Sequence, residues 1–245
     1  HDDAYPMFIR DLGADTLKNG VPLFDAGNPE YMKAFMKHAH QESDQMGVAF
    51  WWLDWQQDYL YPYVRGTSMR HLPWLNKIYY DYSARNNLRG AGFSRWAGWG
   101  DHRHPIQFSG DAVANWELLR FEIDLTTTSG NAGCFFWAHD LGGFYGGDDA
   151  ELYTRWTQFG LLNSSLRIHS VYDEKLDRRP WLWGDKEEEA MKRIYHLRSQ
   201  LMPYIYSSVH QCYEDMIPLN RGLYLEYPSD EKAYQCPGEF LFGDL

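Results

Sequence analysis

The sequence predicts an α/β fold, a parallel barrel of the TIM (β/α)8 type, and two observations carry that prediction. Apolar runs of strand length alternate with stretches of helical periodicity, the pattern of a parallel sheet connected by helices. Five of those runs also end in titratable side chains: at Asp54, at Arg95, at Asp111, at His139-Asp140, and at Arg167 and His169. A barrel gathers the carboxyl ends of its strands on one face, where active sites form, and this accounts for the repetition.

Residues 1–24 alternate irregularly between polar and apolar and predict no regular element. Asn28-Pro29-Glu30 predicts a helix start: Asn caps, Pro takes the first helical position, and Glu faces the positive end of the dipole. Met32, Phe35, Met36 and Ala39 then share a face, and Gly47 ends the helix. Gly47 to Asp54 reads as a buried strand ending in a carboxylate, with aromatic and amide groups following from Trp55 to Gln57. A loop rich in Tyr, Pro and Gly over 58–70 leads to a helix near 71–85, where Leu72, Leu75, Ile78, Tyr79 and Tyr82 recur at helical spacing. A strand from Arg89 to Arg95, a long loop from Trp96 to His104, a short strand from Pro105 to Asp111 and a helix near 112–126 follow. A strand from Gly133 to Asp140 opens into the turn-rich segment Leu141 to Gly147. Then come a helix near 149–161, a strand from Ser164 to His169, a polar loop over 170–185 and a long helix near 186–215. Pro203 is expected to kink or break that helix. Gly222 to Tyr227 reads as a last strand, and no repeat, low-complexity tract or linker interrupts the series.

The chain has 245 residues, 44% apolar and 17% aromatic, enough for a sizeable core. Most of its 11 Trp and 18 Tyr serve that core; the remainder suits a concave surface on which sugar rings stack. A net charge of −11 with no basic run argues against nucleic acid as a partner. No run approaches the ~18 apolar residues of a membrane-spanning helix. Cys134, Cys212 and Cys236 lack metal-ligand spacing, and Cys134 reads as a buried structural thiol. No metal or cofactor motif appears, so none is expected. The missing initial Met and the fresh apolar run near Leu245 suggest a segment of a longer polypeptide.

Asp54 and Asp111 lie on successive structural units. A single Asp after a strand is more often a helix cap or loop group. Two such acids on neighbouring barrel strands would meet in one pocket, as cleavage of a glycosidic bond requires. One carboxylate attacks the anomeric carbon or activates water, and the other protonates the departing oxygen.

Trp51-Trp52-Leu53-Asp54-Trp55 resembles the nucleophile segment of glycoside hydrolase family 31. The later motifs resemble it too: Phe93-Ser94-Arg95, Phe108-Ser109-Gly110-Asp111, Phe136 to Phe144 and Leu166-Arg167-Ile168-His169. The resemblance runs from about Asp25 to the end, in the family's order and spacing. It implies a retaining α-glycosidase acting on an oligosaccharide or glycoside, and it assigns roles. Asp54 would be the nucleophile and Asp111 the general acid, then the base. Arg95, His169 and Asp140 would hold hydroxyls of the sugar beside the cleaved bond. Trp52 and Phe144 would line that subsite, with His139 and Arg167 supporting it. A cation such as Arg95 would help keep the nucleophile ionised, and a retaining pair needs its carboxyls ~5–5.5 Å apart.

The resemblance also has departures. The loop from Trp96 to Pro105 is closer to bacterial and fungal branches with scattered specificities, including enzymes for N-acetylgalactosamine. Phe108 stands in the subsite where the best-known α-glucosidases have Trp. Residues 1–245 would form an incomplete barrel, about strands 4 to 8, within a larger multidomain hydrolase. The early strands and an upstream Asp that grips the sugar would be missing. Two alternatives remain open: an α-xyloside, α-galactoside or α-N-acetylgalactosaminide specificity, or a carbohydrate-binding remnant without turnover. His102 and His104 read as surface groups or as contacts to the leaving sugar.

Overall fold

A computed structural model describes residues 4–13, 17–18, 21–22, 24–54, 63–85, 88–96 and 98–245. Trp55 to Gln57 and residues 58–62 of the expected loop lie outside the described residues. The chain divides into two units, His1–His104 and Pro105–Leu245.

The first unit opens with a helix that the sequence did not predict, α1 (Ala4–Leu12). Its Phe8 packs edge-on against Tyr31 at 5.4 Å and Phe35 at 6.1 Å, so tertiary packing orders a segment with little local signal. A short antiparallel pair follows, β1 (Leu17–Lys18) with β2 (Val21–Pro22). α2 (Pro29–Phe35) starts where expected: Asn28 Oδ1 accepts the N–H groups of Glu30 at 3.0 Å and Tyr31 at 3.3 Å. A π-helical turn, Met36–His40, joins it to α3 (Gln41–Gln45), and Gly47 leaves the helix at φ +98°. β3 (Trp52–Leu53), α4 (His71–Ser83) and β4 (Phe93–Arg95) follow in the expected strand–helix–strand order, but both strands are shorter than predicted, and the run from Gly47 to Asp54 buries only Leu53, with Phe50 and Trp52 exposed. β3 and β4 run parallel, with Trp52 opposite Phe93 and Leu53 opposite Ser94. Phe8, Tyr31, Met32, Leu53, Leu75 and Tyr79 make the core beneath them.

In the second unit, β5 (Gln107–Phe108) is shorter than predicted. The Gln107 N–H bonds to the Phe136 carbonyl at 2.9 Å, and the Ala138 N–H to the Gln107 carbonyl at 2.8 Å. Asp140 bridges in parallel to Arg167. The runs ending at His139-Asp140 and at His169 therefore make isolated parallel bridges, not the full strands predicted. After Asp140 the reason is local: Gly142 and Gly143, at φ +86° and +85°, turn the chain away. α5 (Trp116–Thr128) starts later than predicted because Asn115 caps it, accepting the Leu118 N–H at 2.8 Å. α6 (Ala150–Leu161) is capped by Asp149 in the same way at 3.0 Å.

Two expectations fail toward the C-terminus. α7 (Asp185–Asp215) continues through Pro203 without a break. Proline removes one helical hydrogen bond, and the burial of Met191, Ile194, Ile205 and Cys212 along the helix outweighs that loss. The strand expected over 222–227 is instead β6 (Asn220–Gly222) followed by a helical turn, α8 (Leu223–Glu226). Arg221 closes that turn by gripping Glu226, Nε to Oε1 at 2.8 Å. β6 pairs antiparallel with β7 (Phe240–Phe242). Cys212 is the fully buried thiol of this unit, whereas Cys134 is only partly buried, contrary to expectation.

Candidate active site

In the first unit, register brings two predicted residues together. Leu53 faces Ser94, so Asp54 and Arg95 leave their strands side by side. Arg95 Nε donates to Asp54 Oδ1 at 2.5 Å. The Arg95 side chain is 12% exposed and that of Asp54 38%, so the guanidinium is tucked in while the carboxylate stays open. Trp52, also open, stacks on Phe93 at 6.1 Å. From below, Asn76 on α4 donates to Ser94 Oγ at 2.8 Å and to Asp101 Oδ1 at 2.6 Å, tying β4 and the long loop to one helix. That loop makes a 3-10 turn, Asp101–Arg103, which tucks His104 against Tyr80 at 5.3 Å. His104 is thus buried, and burial lowers its pKa; only His102 is a surface group.

In the second unit, Asp111 follows Gly110, whose φ is +99°, and it is partly buried. The Tyr145 hydroxyl reaches Asp111 Oδ2 at a long 3.4 Å. Arg167 Nε lies 3.0 Å from Asp140 Oδ1, and the guanidinium carbon sits 4.2 Å above the Phe108 ring. The rings of Phe144 and His169 stack at 5.1 Å. Arg178 Nη2 donates to the carbonyls of Gly142 at 2.7 Å and Gly143 at 2.8 Å, which clamps the turn between Asp140 and Phe144. Phe108, His139 and Asp140 have no exposed surface. Phe108 therefore carries Arg167 from beneath rather than lining a subsite, and His139 acts from the interior.

Sequence reasoning missed what surrounds His139. Glu122 on α5 is buried; its Oε1 lies 2.8 Å from Ser109 Oγ, and its Oε2 accepts from Trp156 Nε1 at 2.8 Å. His139 Nδ1 is 2.9 Å from Ser109 Oγ, and its Nε2 is 2.7 Å from Thr126 Oγ1. Burial pushes Glu122 up to about 8, opposed by its hydrogen bonds with Ser109 and Trp156 and reinforced by the charge of Asp140. Burial pushes His139 down to about 3. The two groups stand 3.5 Å apart, and burial disfavours the charged form of each. The available signal was an acid three residues after Leu119, on a face that continues to Thr126.

Taken separately, the first unit offers an open carboxylate steadied by a guanidinium beside an exposed indole, and the second an Arg–Asp pair on an aromatic floor; each arrangement suits hydroxyl groups. Comparison with known proteins shows the family. The profile described as the TIM-barrel domain of glycosyl hydrolases family 31 matches residues 7–208. A probable glucan 1,3-α-glucosidase of Arabidopsis thaliana is 35% identical over 144 residues, 59% of this chain and 16% of that protein. An α-xylosidase of Emericella nidulans is 29% identical over 170 residues, 69% of this chain and 21% of that protein. Among solved structures, a Flavobacterium johnsoniae dextranase complexed with glucose superposes with a TM-score of 0.76 at 25% identity, covering 90% of this chain and 30% of that one. The chain thus spans a small fraction of the length of the proteins it matches.

Proposed function

This chain belongs to glycosyl hydrolase family 31, and from that premise we propose that it works in a retaining α-glycosidase that removes terminal α-linked sugars, α-glucosides foremost. The observation that supports this most is the Asp54–Arg95 pair. It leaves an accessible carboxylate oriented by a buried cation at the end of a parallel strand, which is what an attacking group needs. Asp54 attacks the anomeric carbon as the bond to the leaving group breaks, and Asp111 gives its proton to the departing oxygen. The sugar is then an ester of Asp54. Asp111, now ionised, takes a proton from water, and that water displaces Asp54 from the anomeric carbon. Two inversions give net retention. Trp52 and Phe144 offer faces to the sugar ring. Arg95 and His169 serve its hydroxyls, as does Asp140 through the Arg167 it holds.

The test is the anomer first released by the full-length enzyme, read by proton NMR before mutarotation. The α-anomer is expected from an α-glycoside, and the β-anomer would exclude the double displacement. Asp54→Asn should abolish turnover, and a rate near wild type would remove Asp54 from the nucleophile's role.

A further inference from the structure

We propose that Glu122 is a protonated, hydrogen-donating acid that positions the Ser109–Asp111 segment, and through it the general acid. This rests on the glycosidase reading for its consequence but on geometry for its substance. The order of hydrogens can be followed around the cluster. Thr126 has one hydroxyl hydrogen, and its Oγ1 lies 2.7 Å from the Glu122 carbonyl one turn back, an oxygen that can only accept. That hydrogen therefore points to the carbonyl, and the 2.7 Å contact between Thr126 Oγ1 and His139 Nε2 needs a hydrogen on Nε2. The His139 ring has no exposed surface and stacks on Trp137 at 5.7 Å and Phe159 at 5.8 Å, surroundings that favour the neutral ring. A neutral ring protonated at Nε2 presents a bare acceptor at Nδ1. Ser109, 2.9 Å away, must donate to it. The single Ser109 hydrogen is then engaged, and the remaining contact, 2.8 Å from Ser109 Oγ to Glu122 Oε1, requires the proton to come from Glu122.

The result is a closed circuit from the Glu122 carboxyl through Ser109, His139 and Thr126 to the Glu122 backbone carbonyl. Each hydrogen has one acceptor, and no charge is buried. The charged and titratable groups facing Glu122 fit this state. His139 is neutral, Asp140 disfavours a second carboxylate and is itself paired with Arg167, and α6 contributes only the neutral donor Trp156. The raised pKa of Glu122, about 8, is consistent with the same arrangement.

The circuit bears on catalysis because Ser109 stands two residues before Asp111, across the positive-φ Gly110. Beyond Phe108 no regular strand holds this segment. The hydroxyl of Ser109 fixes the backbone from which Asp111 projects, so Glu122 acts on the reaction without touching it.

The experiment compares Glu122→Gln and Glu122→Leu in the full-length enzyme. An amide donates to Ser109 and accepts from Trp156, so E122Q should keep kcat within about threefold of wild type. E122L removes the donor, and a misplaced acid should reduce kcat by roughly 100-fold on alkyl α-glycosides, which need protonation. The loss should be far smaller on nitrophenyl α-glycosides, with KM little changed in both cases. Difference infrared spectra should show a protonated-carboxyl band that bleaches as pH rises through about 8 in wild type and is missing in E122Q. The proposal is overturned if E122Q falls as far as E122L, if E122L loses equally on both substrate types, or if the band is absent at pH 6. Asp111→Ala in the same assay separates the two levels. Without leaving-group dependence in that variant the glycosidase role of Asp111 fails, while the infrared band still reports on Glu122.

Discussion

Glu122 and His139 are displaced in opposite directions by one cause, loss of water around the charged form, and this gives the chain a predictable pH response. Between about 4.5 and about 8 only the folded chain holds the Glu122 proton, so rising pH removes stability. Between about 3 and about 6.5 only the unfolded chain protonates His139, so falling pH removes stability. The slopes oppose one another from about 4.5 to about 6.5, and each acts alone outside that window. Urea unfolding of wild type and E122Q across this range should show the variant gaining on wild type as pH rises from about 4.5 to about 8. A difference that does not vary with pH would mean that Glu122 is ionised in the fold. Neither residue's state was readable from the sequence, because a titration shift depends on which groups surround the side chain.

At the level of elements, local chemistry explains the starts of helices. Asn28 caps α2 as the Asn-Pro-Glu signature said, and the unremarked Asn115 and Asp149 do the same for α5 and α6. The strands were legible as apolar runs but not in their extent, since pairing ends where glycines turn the backbone. The turn after Asp140 shows the cost of altering such a point. Gly143 has φ +85°, and a Cβ there would come within 2.6 Å of the Ala114 backbone. Gly143→Ala should therefore destabilise by about 1–3 kcal/mol from backbone strain alone, and by more from the clash, as measured by denaturant midpoint. It should also weaken substrate binding if Phe144 and His169 line the subsite. Pro203 teaches the converse: a strong local breaker inside α7 is overridden by packing along the helix.

For the whole molecule, the relatives named above include both an α-glucosidase and an α-xylosidase, so specificity is the open axis. Phe108, the departure expected to alter specificity, is buried under Arg167 and meets no solvent. Kinetics of the full-length enzyme on nitrophenyl α-glucoside, α-xyloside, α-galactoside and α-N-acetylgalactosaminide should place the α-glucoside first. A higher kcat/KM for any other would move the substrate class within the family. No helix among the described residues is long and apolar enough to cross a membrane.

The sequence by itself determined the alternation of strand and helix, the helix caps, and the family motifs that carry Asp54, Arg95, Asp111, Asp140 and His169, because these are encoded by residues near one another in the chain. Tertiary structure alone decided that α1 would form, that α7 would ignore its proline, that Phe108 would support a guanidinium, and that Glu122 would keep its proton. Each of those outcomes depends on burial against residues distant in sequence, and burial sets both packing energy and the cost of charge.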